Sequence, residues 1–193
     1  MTAANYRSTA SKRPRETGRR NSKTEEKESG TETQSELIDR AKQTAYRMLS
    51  YRDRSIKEIE TKLAQKGYSE AVVTLVIASL KEANYLDDDR FAHQWVRLRT
   101  EHRHLGPLRL KRELQEKGLS PEITEEAIQR LSTEGDPVAP AEAALRRRFK
   151  DPASLRDMKT RQRAYAFLQR KGFTTETIFK AFKKIGAANP EID

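Results

Sequence analysis

Three short stretches decide the fold: Leu63-Ala64-Gln65-Lys66-Gly67-Tyr68-Ser69, Leu114-Gln115-Glu116-Lys117-Gly118-Leu119-Ser120 and Leu168-Gln169-Arg170-Lys171-Gly172-Phe173-Thr174. Their glycines lie 51 and 54 residues apart, each with a leucine four residues before it and a hydroxyl residue two after it. Glycine just past a helix adopts the left-handed conformation that closes it, and the lysine before it complements the negative end of the helix dipole. The hydroxyl then caps the next helix. The agreement continues outward, to Ile77, Ile128 and Phe182 ten residues after the glycines and Leu80, Leu131 and Ile185 thirteen after. Twelve residues before them, at Ser55, Gly106 and Thr160, a helix is predicted to start. Agreement at this many offsets marks an internal repeat. Ser55 with Glu58 forms a capping box, and Pro121 after Ser120 suits the first helical position.

A further helix is predicted before each pair, over about 37–50, 88–103 and 140–150. In the first of these, Leu37, Ile38, Ala41, Ala45, Met48 and Leu49 recur at helical spacing. The expected chain therefore has three three-helix units, 37–86, 87–135 and 136–186, followed by a C-terminal tail, 187–193. Pro137 and Pro140 bracket the junction of the second and third units. A helix of ~12 residues is only ~18 Å long and buries few leucines, so the units are expected to gain stability by stacking. The predicted fold is all-α, an elongated, curved array of three tandem three-helix repeats. Residues 1–36 have Tyr6 as their one large apolar side chain after Met1, which predicts a disordered charged tail. Gly18 to Thr24 (GRRNSKT) has the outline of a phosphate-binding loop. However, Ser22 replaces its second glycine and no strand precedes it, so no nucleotide site is assigned.

Charged and hydrophobic residues each make up 35% of the 193 residues, a balance that suits several small cores. The net charge is +10, of which residues 136–193 carry +6, with 13 Lys/Arg against 7 Asp/Glu. Such a surface attracts polyanions, nucleic acid foremost. The chain has no cysteine, which excludes disulfides, zinc–thiolate sites and thiol catalysis. No run of ~18 apolar residues exists, so no membrane partner is expected, and without a signal-peptide core a cytoplasmic location is expected.

His102 and His104 have the spacing of paired ligands but sit at a helix end, so no metal or other cofactor is assigned. Asp87, Asp88 and Asp89 have the chemistry to hold Mg²⁺ in a nuclease. They lie directly before a predicted helix, where acids cap the first turn and offset its dipole. Trp95 shares a helix face with Phe91 and Leu98 and is assigned to core packing rather than base stacking. No Ser/His/Asp or Cys/His arrangement is legible, and no catalytic activity is expected.

Two basic groups stand out. Arg97, Arg99 and Arg103 close one predicted helix, and Arg109, Lys111 and Arg112 open the next across Leu105-Gly106-Pro107, with Glu101 and Glu113 interleaved. A denser run holds Arg146, Arg147, Arg148 and Lys150, then Arg156, Lys159, Arg161 and Arg163, with only Asp151 and Asp157 among them. The candidate binding residues are Arg97, Arg99, Arg109, Arg112, Arg146, Arg147, Arg148, Lys150, Arg161 and Arg163.

The motifs Tyr85-Leu86-Asp87-Asp88-x-Arg90-Phe91 and Gly106-Pro107-x-Arg109-Leu110-x-x-Glu113-Leu114-x-x-Lys117-Gly118-Leu119-Ser120 closely resemble the RecX family of recombinase regulators. Leu49-x-Tyr51-Arg52-Asp53-Arg54-Ser55, with Glu58 and Lys62-Leu63, extends the resemblance to the first unit. Leu168, Arg170, Gly172 and Phe173 extend it to the third, so that it covers about residues 37–186. Two positions depart from the pattern. Ala83-Asn84 stands where the family usually has glycine, though Asn tolerates the left-handed conformation. His104 replaces a glycine often found two residues before Gly106. The resemblance implies a three-helix repeat fold without catalysis and, as partners, the RecA recombinase filament and its single-stranded DNA. It implies reduced RecA ATPase activity, strand exchange and filament growth, moderating recombination and the SOS response. The expected protein is a monomer. The alternative is a helical-repeat protein that binds DNA without RecA.

Overall fold

The computed structural model describes residues 33–186. The expected tail as far as residue 32, the stretch Gly18–Thr24 and residues 187–193 lie outside the described residues. The described residues form nine α-helices and one short 3₁₀ helix, without a strand. The first unit holds α1 (Gln34–Tyr51), α2 (Ile56–Gln65) and α3 (Glu70–Glu82). The second holds α4 (Asp88–Arg103), α5 (Pro107–Glu116) and α6 (Pro121–Glu134). The third holds α7 (Ala139–Arg148), the 3₁₀ helix Pro152–Arg156, α8 (Met158–Lys171) and α9 (Thr175–Lys184). None of the described helices is long and apolar enough to cross a membrane.

Two starts differ from the sequence expectation. Helix α1 begins at Gln34, inside the stretch assigned to the tail, because Thr33 and Glu36 form a capping box ahead of the first apolar residue. Helix α8 begins at Met158 rather than near Thr160. Its cap is Asp157, whose carboxylate accepts from the Thr160 amide and hydroxyl, each at 2.9 Å. The 3₁₀ helix, which the sequence pattern does not announce, takes up the extra length of the third unit.

Each unit closes on its own core, the first helix packing on the third and the second bracing both. Three separate hydrophobic clusters result. The repeated leucines Leu63, Leu114 and Leu168 are each 0% exposed, one at the centre of each cluster. Burying a leucine contributes ~2 kcal/mol. Ile77, Ile128 and Phe182 are buried beside them.

The units join through the ends of their middle helices. At the first joint the Ser55 hydroxyl caps α2 by accepting from the Glu58 amide at 3.2 Å, and donates to the Lys117 carbonyl, at the end of α5, at 2.7 Å. The Ile56 amide donates to Asp88 Oδ1 at 2.9 Å, so a carboxylate of the second unit caps a helix of the first. At the second joint the Gly106 amide donates to the Lys171 carbonyl at 2.8 Å, and the Leu108 amide to the Gly172 carbonyl at 3.0 Å. Pro107 occupies the position of Ile56 and has no N–H, so this joint needs no counterpart of Asp88. In both joints the positive start of one helix meets the negative end of the next unit's helix.

Close approach explains two glycines. A Cβ on Gly106 would stand 2.5 Å from the Gly172 carbonyl carbon, and one on Gly172 would stand 2.3 Å from the Arg109 nitrogen. Gly67 has the same left-handed backbone as Gly172, but a Cβ added there would meet nothing within 4 Å among the described residues beyond its chain neighbours. Gly67→Ala is therefore expected to lose about 1 kcal/mol, the backbone term alone. Gly172→Ala is expected to lose roughly 3 kcal/mol, because it must also push the joint apart. Urea unfolding of the two variants measures the difference, and equal losses would contradict the joint.

Glu58 links α2 to both sides of the first joint, receiving Arg52 at 2.8 Å and Lys117 at 3.1 Å. Burial pushes its carboxyl up, but the hydrogen bonds from Arg52 and Lys117 outweigh this and bring it down to about 2. A carboxylate with a depressed folded pKa contributes stability above its unfolded pKa and loses it as pH falls through the folded value. Glu58→Gln should thus be less stable than the parent near neutrality, by about 1 kcal/mol after solvent screening. The gap should close as pH falls from about 4.5 toward about 2. Urea midpoints across that range provide the check.

Candidate polyanion interface

The second joint sets the end of α4 and the start of α5 against α7 and α8. A cleft of about 650 Å³ lies between them, floored by Leu105, Ala144 and Phe167. Its walls carry Arg103, Arg109, Arg147, Arg148, Arg170 and Lys171, and among the described residues Glu113 is its one carboxylate. Lys171 is anchored by donating to the Arg103 carbonyl, with its ammonium 5.6 Å from the Phe167 ring centroid. Burial lowers the Lys171 pKa, and the neighbouring Arg147 and Arg103 lower it further. His104 is likewise held below its ordinary value, first by burial and then by Lys171, Arg147 and His102, against a hydrogen bond that its ring donates to the Thr100 backbone carbonyl. Burial is the larger cause of both shifts, and the neighbouring cations act in the same direction.

Local structure explains why these side chains converge. His104 ends α4 in the left-handed conformation with φ 50, so the chain turns sharply and places Arg103 at the mouth of the cleft. This is the position where the sequence pattern favours glycine. Arg147 and Arg148 lie in the last turn of α7, where cations complement the helix dipole. Arg170 and Lys171 do the same on α8.

The sequence candidates divide. Arg109, Arg147 and Arg148 line the cleft. Arg112 lines a smaller groove, of about 520 Å³, between α5 and α8, together with Arg109 and Arg170. Arg99 is occupied elsewhere: its guanidinium lies 4.0 Å from the Trp95 ring centroid and 3.4 Å from Glu113. Arg97 faces a different hollow, between α4 and α6, and pairs with Glu101 at 3.7 Å. Arg146 turns back to Glu142 at 2.9 Å. Lys150, Arg161 and Arg163 lie outside the cleft lining; Arg161 reaches the Met158 sulfur at 3.5 Å. Arg170 and Lys171 were hidden by distance along the chain, Lys171 being legible only as a helix-closing residue.

The other sequence candidates serve the fold. Asp87 caps α4 by accepting from the Arg90 amide at 2.9 Å, and Asp88 caps α2. Among the described residues no group of three or more His, Asp or Glu side chains is arranged to hold a metal ion. Trp95 packs on the second core, stacked on Phe91 at 5.7 Å, with Nε1 donating to Glu113 at 3.1 Å. Leu98 departs from its expected core place and is 40% exposed.

Three-helix units joined end to end, with a cationic cleft at one joint, define the chain as a helical-repeat protein. Residues 41–80, 87–128 and 138–182 match the models of the first, second and third three-helix domains of RecX. The chain is similar to the regulatory protein RecX of Halorhodospira halophila, with 35% identity over 69% of this chain and 81% of that one. It is similar to that of Mycolicibacterium smegmatis, with 34% identity over 70% and 73%. The relative in Bacillus subtilis is 36% identical over 74% of this chain, which spans only 54% of that longer protein. The chain belongs to the RecX family. In fold it resembles the crystal structure of RecX from Lactobacillus salivarius, with a TM-score of 0.69 at 24% identity, covering 80% of this chain and 99% of that one.

Proposed function

We propose that this protein binds the RecA filament on single-stranded DNA and restrains its ATPase, strand exchange and growth, with the cleft of the second joint as its main anionic contact. The observation that carries the reading is the convergence of Arg103, Arg109, Arg147, Arg148, Arg170 and Lys171 on one cleft with a single carboxylate. Family membership supports a regulatory role, because the relatives carry the name regulatory protein. The tandem design supports a polymeric partner. Units in series offer several weak contacts, and these add by avidity when their spacing matches a lattice. Cations in a cleft steer a polyanion, at the DNA backbone or an acidic filament face, and hold it in a salt-dependent way. Arg97, on another face and paired with Glu101, takes no part in this contact.

The test is RecA ATPase on single-stranded DNA with this protein titrated in. Arg147→Glu/Arg148→Glu/Arg170→Glu, folded by circular dichroism, should need about tenfold or more protein for half-inhibition, a loss of roughly 1.4 kcal/mol. Arg97→Glu should match the parent. A triple variant that inhibits like the parent would overturn the assignment of the cleft. Equal affinity for naked DNA and for the filament across salt would favour the DNA-binding alternative.

A further inference from the structure

A second concavity, of about 460 Å³, lies between the α1–α2 connection and α4. Phe91, Trp95 and Leu98 give it an apolar wall. Arg52, Arg99 and Arg103 stand around that wall, and among the described residues Asp53 is the one carboxylate of the lining. His102 and Arg103 line this groove and the basic cleft alike, so the two are continuous.

The carboxylates behind the rim do not neutralise it. Arg52 pairs with Glu58, but Glu58 also serves Lys117. Arg99 pairs with Glu113, but Glu113 also serves Arg109. The Arg103 guanidinium is left facing Lys171 and Arg147, all of one sign.

We propose that this groove docks an acidic peptide segment carrying a bulky apolar anchor. It would be a protein contact beside the polyanion cleft, and it rests on the preceding reading for the assembly that supplies the segment. Charge complementarity selects the occupant. An apolar floor ringed by guanidinium groups recognises acidic motifs, and a buried anchor excludes water and strengthens the surrounding ion pairs. Leu98 supplies the open contact for the anchor. A nucleobase fits less well, because stacking needs an open ring face. Trp95 already has the Arg99 guanidinium 4.0 Å and the Lys117 ammonium 4.1 Å from its ring centroid. The chain's own residues 24–32 hold four Glu against one Lys but no large apolar side chain to serve as the anchor.

Trp95 is the one tryptophan of the chain, so its fluorescence reports on the groove directly. The full chain is titrated with the acetylated peptide Asp-Asp-Leu-Phe-Asp-Glu, with the same peptide carrying Gly-Gly in place of Leu-Phe, and with oligothymidylate. The expected result is a saturable emission change with the first peptide, and binding about tenfold or more weaker for the Gly-Gly peptide and for Leu98→Glu with unchanged helicity. Arg103→Glu serves as a second variant and should weaken binding likewise. No saturable change, equal binding of the two peptides, insensitivity to both variants, or the same emission change with oligothymidylate would each overturn the proposal. RecA is absent from this assay, so its failure leaves the reading of the cleft standing, and failure of the ATPase test leaves this one standing.

Discussion

The whole arrangement depends on one contact, the start of a middle helix set against the end of the middle helix in the next unit. Gly106 and Leu108 donate to the Lys171 and Gly172 carbonyls, and the Ser55 hydroxyl donates to the Lys117 carbonyl. These carbonyls are among those a helix leaves without partners at its end. A helix that ended in solvent would give them to water. Here the neighbouring unit takes them, with helix dipoles of opposite sign brought together. The joint therefore satisfies both helix termini and fixes the register between units that have separate cores.

The cationic cleft follows from that register. The cleft exists because the second joint holds the end of α4 against α7 and α8, so that Arg103 and Arg109 of one unit face Arg147, Arg148, Arg170 and Lys171 of the next. Gathering so many cations in one cleft opposes the folding of this region by like-charge repulsion. The backbone hydrogen bonds of the joint hold the groups together in spite of that repulsion. An incoming anion would relieve it, which makes the cleft a place where binding and folding favour the same geometry.

The repeat was legible because it is local chemistry. Lys-Gly-x-Ser/Thr encodes a helix end and the next helix start within a few residues, and the leucine four before the glycine marks the core side. Thr33 and Asp157 cap helices from positions outside the repeated offsets, so the repeat itself does not announce them. The partners across the joints were not legible. Nothing near Asp88 in the chain announces that it caps Ile56, and nothing near Gly106 announces Lys171. Linear clustering of arginines likewise gathered Arg146, Arg147, Arg148 and Lys150 into one group. In the helix, neighbouring positions point in different directions, and Arg146 turns to Glu142 while Arg147 and Arg148 reach the cleft. The repeated glycines mark the ends of the middle helices but not which ends meet across the joints.

Amide hydrogen exchange at Gly106 and Leu108 tests the joint most directly, because both residues lie at a helix start, where amides without partners exchange quickly. If the joint holds the array together, both amides are protected to the degree of amides inside α5 and α8. Exchange at the rate of an open loop, while those helices stay protected, would show units that merely follow one another along the chain.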